Sequence, residues 1–374
     1  MNILITGGSG FIGSALSLKL VENNFKVTVL DNLSPQIHGE NPENSLLYLK
    51  IKDKVIFVKG DVRNIEDWNK VLPNQDVIVH LAAETGTGQS MYEIERYVDV
   101  NTKGTALFLD FLANTKNSVK KVIIASSRSI YGEGKYKDKL ENFYYPESRK
   151  DIDMQQKRFD PQYEGTPLVA VATDEKSKIH PISIYGITKQ VQEQLVMNVC
   201  KSIGIAGVSL RFQNVYGPGQ SLTNPYTGIL SVFSNLILNN KPINIFEDGL
   251  ESRDFVYIDD VVNSIFLSII NDNANNNCYN VGTGVATTVL EVATILQNCY
   301  QINVETTVSG NYRLGDIRHN FADISKIKND INWLPQTDIN QGLKEFSNWV
   351  LVQKLPKLEY EKSLSEMKEK GMFK

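Results

Sequence analysis

"MNILITGGSGFIGSAL" (residues 1–16) decides how the rest of this chain is read. A short apolar run, Asn2–Thr6, leads into Gly7, Gly10 and Gly13, and then into Phe11–Asn23, a stretch with helical periodicity. The run fits a buried strand, and glycine lets a chain turn sharply from strand to helix. Gly8, Gly10 and Gly13 also satisfy G-x-G-x-x-G. At that spacing the backbone can approach a pyrophosphate, and the helix N-terminus offers free N–H groups and a positive dipole. Taken alone, the glycines fit a plain structural turn equally well.

Working outward, strands and helices take turns. The apolar runs Lys26–Leu30, Lys54–Lys59, Asp76–Leu81 and Val119–Ser126 read as strands, with helical stretches near 64–72 and 90–114 between them. A helix over 185–202 precedes a sixth strand, Ala206–Phe212, after a less regular stretch at 133–180. Apolar strands alternating with amphipathic helices predict a parallel sheet covered on both faces. The expected class is α/β: a Rossmann-type doubly wound sheet with a smaller mixed C-terminal lobe. The second strand ends in Asp31, 18 residues past Gly13, where an acid accepts a hydrogen bond from a ribose 2′-hydroxyl. The same acid repels a 2′-phosphate, so the expected cofactor is NAD rather than NADP. Asp61, after the third strand, either forms a turn or accepts from an adenine amino group.

Composition sets outer bounds. The 374 residues are 41% hydrophobic and 22% charged, with a net charge of −4; this permits a large core and gives no reason to expect nucleic acid as a partner. No apolar stretch is long enough for a transmembrane helix. A strand starting at residue 2 leaves no room for a targeting peptide, so a cytoplasmic chain is expected. Three cysteines, Cys200, Cys278 and Cys299, and four scattered histidines argue against a disulfide frame or a structural zinc.

The candidate chemistry lies further on. The fifth strand ends in Ser126-Ser127-Arg128-Ser129, and Tyr185 and Lys189 share one face at the start of the following long helix. An ammonium beside a phenol favours the phenolate, turning a side chain of ordinary pKa near 10 into a base usable near neutrality. A serine hydroxyl nearby can steady a substrate oxygen during proton transfer.

These residues resemble the extended short-chain dehydrogenase/reductases, specifically the nucleotide-sugar epimerases and dehydratases, over about residues 1–350. The likeness rests on TGGSGFIG (6–13), Asp31, GDV (60–62), HLAA (80–83), the serines of 126–129, Tyr185 and Lys189. RFQNVYGPGQ (211–220), ESRDFVYIDDVV (251–262) and YRLGDIRHNFADISK (312–326) are similar to the family's second half. The resemblance implies Tyr185 as the base, Lys189 as its electrostatic partner and ribose ligand, and Ser127 as the catalytic hydroxyl. It places Gly7, Gly10, Phe11, Ile12, Gly13, Asp31, Asn32, Asp61, Val62, Leu81, Ala82 and Ala83 at the cofactor. Thr85, Gln89, Ser90, Asn214, Arg253 and Arg313 go to the nucleotide-sugar, the two arginines as diphosphate cations.

Departures narrow the activity. The 4,6-dehydratases of this family carry an acid pair after the catalytic hydroxyl, where this chain has Arg128 and Ser129, so elimination is not expected. Tyr185 lies farther from Ser127 than in simple sugar 4-epimerases. The inserted stretch (about 133–180), AAETGTGQSMYEI (82–94), SSRSIYGEGKY (126–136) and NPYTGILSVF (224–233) resemble the dTDP-L-rhamnose 4-epimerase-like subgroup. Some of that subgroup carry cysteines in the insertion, where this chain has FDPQYEGTPL (159–168); no metal-stabilised form of the segment is implied.

The expectation is therefore an NAD-dependent 4-epimerase of a dTDP- or UDP-linked 6-deoxyhexose. A 4-ketoreductase using the same residues, and a non-catalytic NAD-binding module, are the competing readings. The implied division is a cofactor domain (1–212 and 255–281), a sugar-nucleotide lobe (213–254 and 282–350) and a charged, solvated helical tail (351–374). Relatives of this kind dimerise through helices equivalent to 90–114 and 185–202, so a homodimer is implied.

Overall fold

The computed structural model describes residues 1–222, 228–353, 365, 368–371 and 373–374. Part of the 224–233 stretch and most of the tail lie outside the described residues. Seven strands form one parallel sheet: β1 (Asn2–Thr6), β2 (Lys26–Asp31), β3 (Ile56–Lys59), β4 (Val77–His80), β5 (Lys121–Ser127), β6 (Ala206–Phe212) and β7 (Asn277–Val281). Their order is β7-β6-β5-β4-β1-β2-β3, every pair parallel. The order reverses between β1 and β4, and ligands of such sheets bind in the crevice at that point, beyond the strands' carboxyl ends.

Both faces of the sheet are covered, which explains the unbroken apolar runs. Ile3 and Ile5 of β1 pack in one core with Leu16 and Leu20 of α1 (Phe11–Glu22). Leu4 points into the opposite core, with Trp68 of α2 (Ile65–Val71) and Phe108 of α3 (Gly104–Asn114). Trp68 stacks on Phe108 with ring centroids 4.7 Å apart. Each such fully buried large side chain contributes about 1.5–3 kcal/mol.

The predicted helix over 90–114 is broken. Short turns at Thr87–Ser90 and Ile94–Tyr97 lead through a π-helical segment, Val98–Lys103, into α3. The fully buried Asn101 lies in the widened turn. Its amide oxygen accepts the Glu84 N–H at 2.7 Å, and its nitrogen donates to the Glu84 carbonyl and to Thr188 Oγ. A wide turn that satisfies buried polar groups in this way is a recurrent device near functional sites. The next long helix, α4 (Ile184–Ser202), starts as expected because Ser183 caps it, accepting the Gly186 N–H at 3.1 Å.

The 133–180 stretch holds a small antiparallel sheet of Lys135–Lys137, Phe143–Tyr144 and Val169–Val171, and a hairpin of Gln162–Tyr163 with Thr166–Pro167. It is joined to the chain's second half by buried charge. Arg149 contacts Glu247 at 2.8 Å and Glu133 at 3.3 Å. Arg318, 1% exposed, contacts Glu247, Asp248 and Asp160 within 3.1 Å, and its N–H donates to Glu133. The second half adds α5 (Ile229–Leu238), α6 (Ile258–Ile270), α7 (Val289–Tyr300) and α8 (Ile339–Leu351) with short strand pairs between them.

A tail that is solvated throughout is not what the structure shows. Phe373 pairs with Arg313, Lys374 exchanges backbone hydrogen bonds with Tyr312, and the Phe373 ring lies 5.0 Å from that of Phe246. An apolar ring and unpaired backbone groups find partners there that charge patterning alone does not reveal. Among the described residues no helix is long and apolar enough to cross a membrane.

Candidate active site

A cleft of about 970 Å³ opens at the sheet's switch point. Its floor is the glycine turn. Gly7 has φ +67°, and a Cβ there would meet the Ala82 backbone at 2.9 Å. At Gly13 a Cβ would run into the Gly7 carbonyl and Gly8, so helix and turn pack backbone to backbone. No side chain caps α1, leaving first-turn N–H groups open to an anion. Gly10, Phe11 and Ile12 line the cleft beside them. This glycine cradle at a helix N-terminus, with an acid at the end of β2, fits a dinucleotide.

Asp31 lines the cleft and is 8% exposed. One carboxylate oxygen accepts the Ser9 N–H and the other the Leu33 N–H, both at 2.8 Å. Burial pushes the carboxyl's pKa up against the pull of those two donors. Each oxygen keeps a lone pair for a ribose hydroxyl. Asp61 also lines the cleft, and the Arg63 guanidinium at 2.7 Å holds its carboxyl down at about 2. Asn32 donates to Asp61 at 3.1 Å. Val62, Leu81, Ala82 and Ala83 complete this part of the wall.

Ser127, Tyr185 and Lys189 meet in the same cleft, brought together by β5 and α4. Ser127 Oγ accepts from Ser129 Oγ at 2.9 Å. The Tyr185 phenol is raised by burial, opposed by a hydrogen bond with Ser127 and by the charge of Arg128. Lys189 shares the helix face as expected, but its ammonium donates to Gln192 at 2.7 Å, and burial pushes it down to about 7. Arg128, whose Nε donates to Asn214 Oδ1 at 2.7 Å, adds a charge that favours the phenolate. Sequence reasoning marked Arg128 only as a departure from the dehydratase pattern; its place directly after Ser127 was the available signal.

The residues assigned to the nucleotide-sugar separate into groups. Thr85 lines the cleft with Ser127. Gln89 and Ser90 are buried behind it: Gln89 bonds Gln36 and Tyr97, and Ser90 Oγ accepts the Tyr185 N–H at 3.0 Å. Ser90 therefore braces Tyr185. Arg253 spends four donor contacts on the Ser252, Ile317 and Arg318 carbonyls and on Asp316, a braced cation with only Nε left over. Arg313 lies over the Phe246 ring at 4.8 Å with a buried Nε that has no hydrogen-bond partner among the described residues. Asn214, Arg253 and Arg313 are held outside the cleft proper.

A parallel sheet that cradles a dinucleotide at its switch point and sets a tyrosine, a serine and a lysine at the far end of the same cleft defines an extended short-chain dehydrogenase/reductase. The chain belongs to the NAD dependent epimerase/dehydratase family, whose model matches residues 3–151 and 160–282. It is 36% identical over 350 residues to a dTDP-L-rhamnose 4-epimerase of Burkholderia thailandensis, covering 93% of this chain and 94% of that protein. Among solved structures it resembles the UDP-glucose 4-epimerase of Thermotoga maritima with UDP-glucose, at 29% identity and a TM-score of 0.75 over 94% of this chain and 99% of that one. The UDP-glucuronic acid 4-epimerase of Bacillus cereus, solved with UDP-glucuronic acid and NAD, gives 26% and 0.77 over the same shares.

Proposed function

We propose that this chain is an NAD-dependent nucleotide-sugar 4-epimerase acting on a dTDP- or UDP-linked 6-deoxyhexose. The observation that carries the reading is the Ser127–Tyr185–Lys189 group facing the dinucleotide cleft with Arg128 and Ser129, not an acid pair, beside it. Bound NAD supplies a hydride acceptor that later returns the hydride. Tyr185 takes the C4 hydroxyl proton, Ser127 holds the same oxygen, and Tyr185 gives the proton back after the 4-keto sugar has presented its other face. Arg128 beside the phenol favours its deprotonated form. The lobe of 213–254 and 282–350 holds the nucleotide diphosphate, with Asn214, Arg253 and Arg313 as its polar and cationic wall; Thr85, Gln89 and Ser90 shape the sugar side. Binding energy concentrated on the diphosphate leaves the sugar free to turn. The chain works as a homodimer, a reading supported by exposed Ile94, Val98 and Ile187 along the two helical segments implied in pairing.

The test is incubation with a panel of dTDP- and UDP-linked 6-deoxyhexoses, read by proton NMR at C4. Interconversion of 4-epimers without consumption of added NADH is the expected result. Stoichiometric NADH or NADPH oxidation on a 4-keto sugar, with no epimerisation across the panel, would replace the reading with a 4-ketoreductase. Asp31→Ala is expected to relax the preference for NAD over NADP by removing both the hydroxyl acceptor and the repulsion of a 2′-phosphate. An unchanged ratio of the two affinities would show that discrimination lies elsewhere.

A further inference from the structure

The segment after β2 turns through Pro35–His38 and brings His38 back beside Asp31. The His38 ring is buried, its side chain 2% exposed, yet it lines the cleft together with Asp31 and Ser45. Its Nδ1 lies 2.8 Å from Ser45 Oγ. Its Nε2 is 3.9 Å from Asp31 Oδ1, too far for a hydrogen bond, and has no other partner among the described residues. A ring nitrogen without a partner and a carboxylate thus face one another across a gap at the wall of the cofactor cleft.

The chemistry of that gap is specific. A carboxylate only accepts, whereas a ribose hydroxyl both donates and accepts. Asp31 alone satisfies half of such a hydroxyl. With the Ser45 hydroxyl donating to Nδ1, the ring proton sits on Nε2 and supplies the other half. We propose that His38 is a second reader of the adenosine ribose, donating from Nε2 to the 2′-hydroxyl while Asp31 accepts from it. Burial lowers the imidazole's affinity for a further proton, against the pull of Asp31. A neutral ring offers no cation to a 2′-phosphate, so the pair discriminates by hydrogen bonding as well as by repulsion. The inference rests on NAD as the cofactor, and deepens that reading.

The experiment uses the full chain freed of bound nucleotide, titrated by calorimetry with NAD and with NAD lacking the adenosine 2′-hydroxyl. Wild type is expected to bind NAD about a hundredfold more tightly than the deoxy analogue, the effect of two hydrogen bonds, one to Asp31 and one from His38. His38→Ala is expected to bind NAD about tenfold more weakly and the analogue as wild type does, narrowing the gap to the about tenfold that the Asp31 bond alone supplies. His38→Gln, which keeps an N–H donor, recovers part of the discrimination. Equal weakening of both ligands by His38→Ala would overturn the proposal and assign His38 to bracing the loop through Ser45. Wild type that prefers NADP would refute the cofactor reading itself, and with it this one; that arm is read without any variant. Circular dichroism of each variant checks that loss of binding is not loss of fold.

Discussion

Tyr185→Phe is expected to lower turnover by about 10²–10⁴-fold, the range for removing a positioned acid–base group. The change deletes one oxygen from a half-buried ring whose backbone N–H stays on Ser90 and which meets Tyr97 edge-on with centroids 6.5 Å apart. The proposed cofactor contacts at the glycine turn and Asp31 lie at the other end of the cleft, so NAD retained per chain is expected to be unchanged. Steady-state kinetics and the absorbance of released nucleotide give the two quantities. Turnover near wild type would remove Tyr185 from the chemistry.

Arg318→Met is the second large effect, on stability. The guanidinium is 1% exposed and holds Glu247, Asp248 and Asp160 at 3.1, 2.6 and 2.8 Å. Removing it leaves Glu247, itself 3% exposed, with Arg149 as its one remaining cation among the described residues. Breaking a buried ionic group from one side costs about 3–5 kcal/mol. Urea unfolding is expected to show a loss of that order without a change in the denaturant slope. The exposed pair Arg158–Asp153 is the internal comparison, since removing it should cost under about 1 kcal/mol. Equal losses in the two variants would mean that the buried group contributes nothing special to joining the 133–180 stretch to the second half.

What the amino-acid sequence discloses depends on how local the determinants are. Six strands of the sheet are legible as apolar runs, and β1 to β6 fall within two residues of their expected ends, whereas β7, with an asparagine at positions 277 and 280, carries no such run. The glycine turn, Asp31 and the Tyr185–Lys189 pair are legible because their spacing is set within one turn or one strand–helix unit. The small sheet of 133–180 is not, because strands of two or three residues carry no period. The π-helical turn at 98–103 is invisible for a related reason: Asn101 is drawn inward by Glu84 and Thr188, the latter 87 residues away. Pairings between distant residues decide the site's details as well. Asn214 takes the Arg128 guanidinium from 86 residues along the chain, and Asp316 takes Arg253 from 63. None of these pairings leaves a trace in spacing.

The bond from Ser9 N–H to Asp31 bears on cofactor redesign. The acid proposed to read the ribose also ties the end of β2 to the glycine turn, 22 residues earlier in the chain. Exchanging it for a residue without an acceptor frees the Ser9 N–H inside the protein and loosens the very backbone that receives the pyrophosphate. A variant made to accept a phosphorylated ribose this way will trade affinity for every dinucleotide against its new selectivity. An amide at position 31 keeps one oxygen for Ser9 and sheds the charge, but it sets its NH2 against the Leu33 N–H and so separates the two duties only in part.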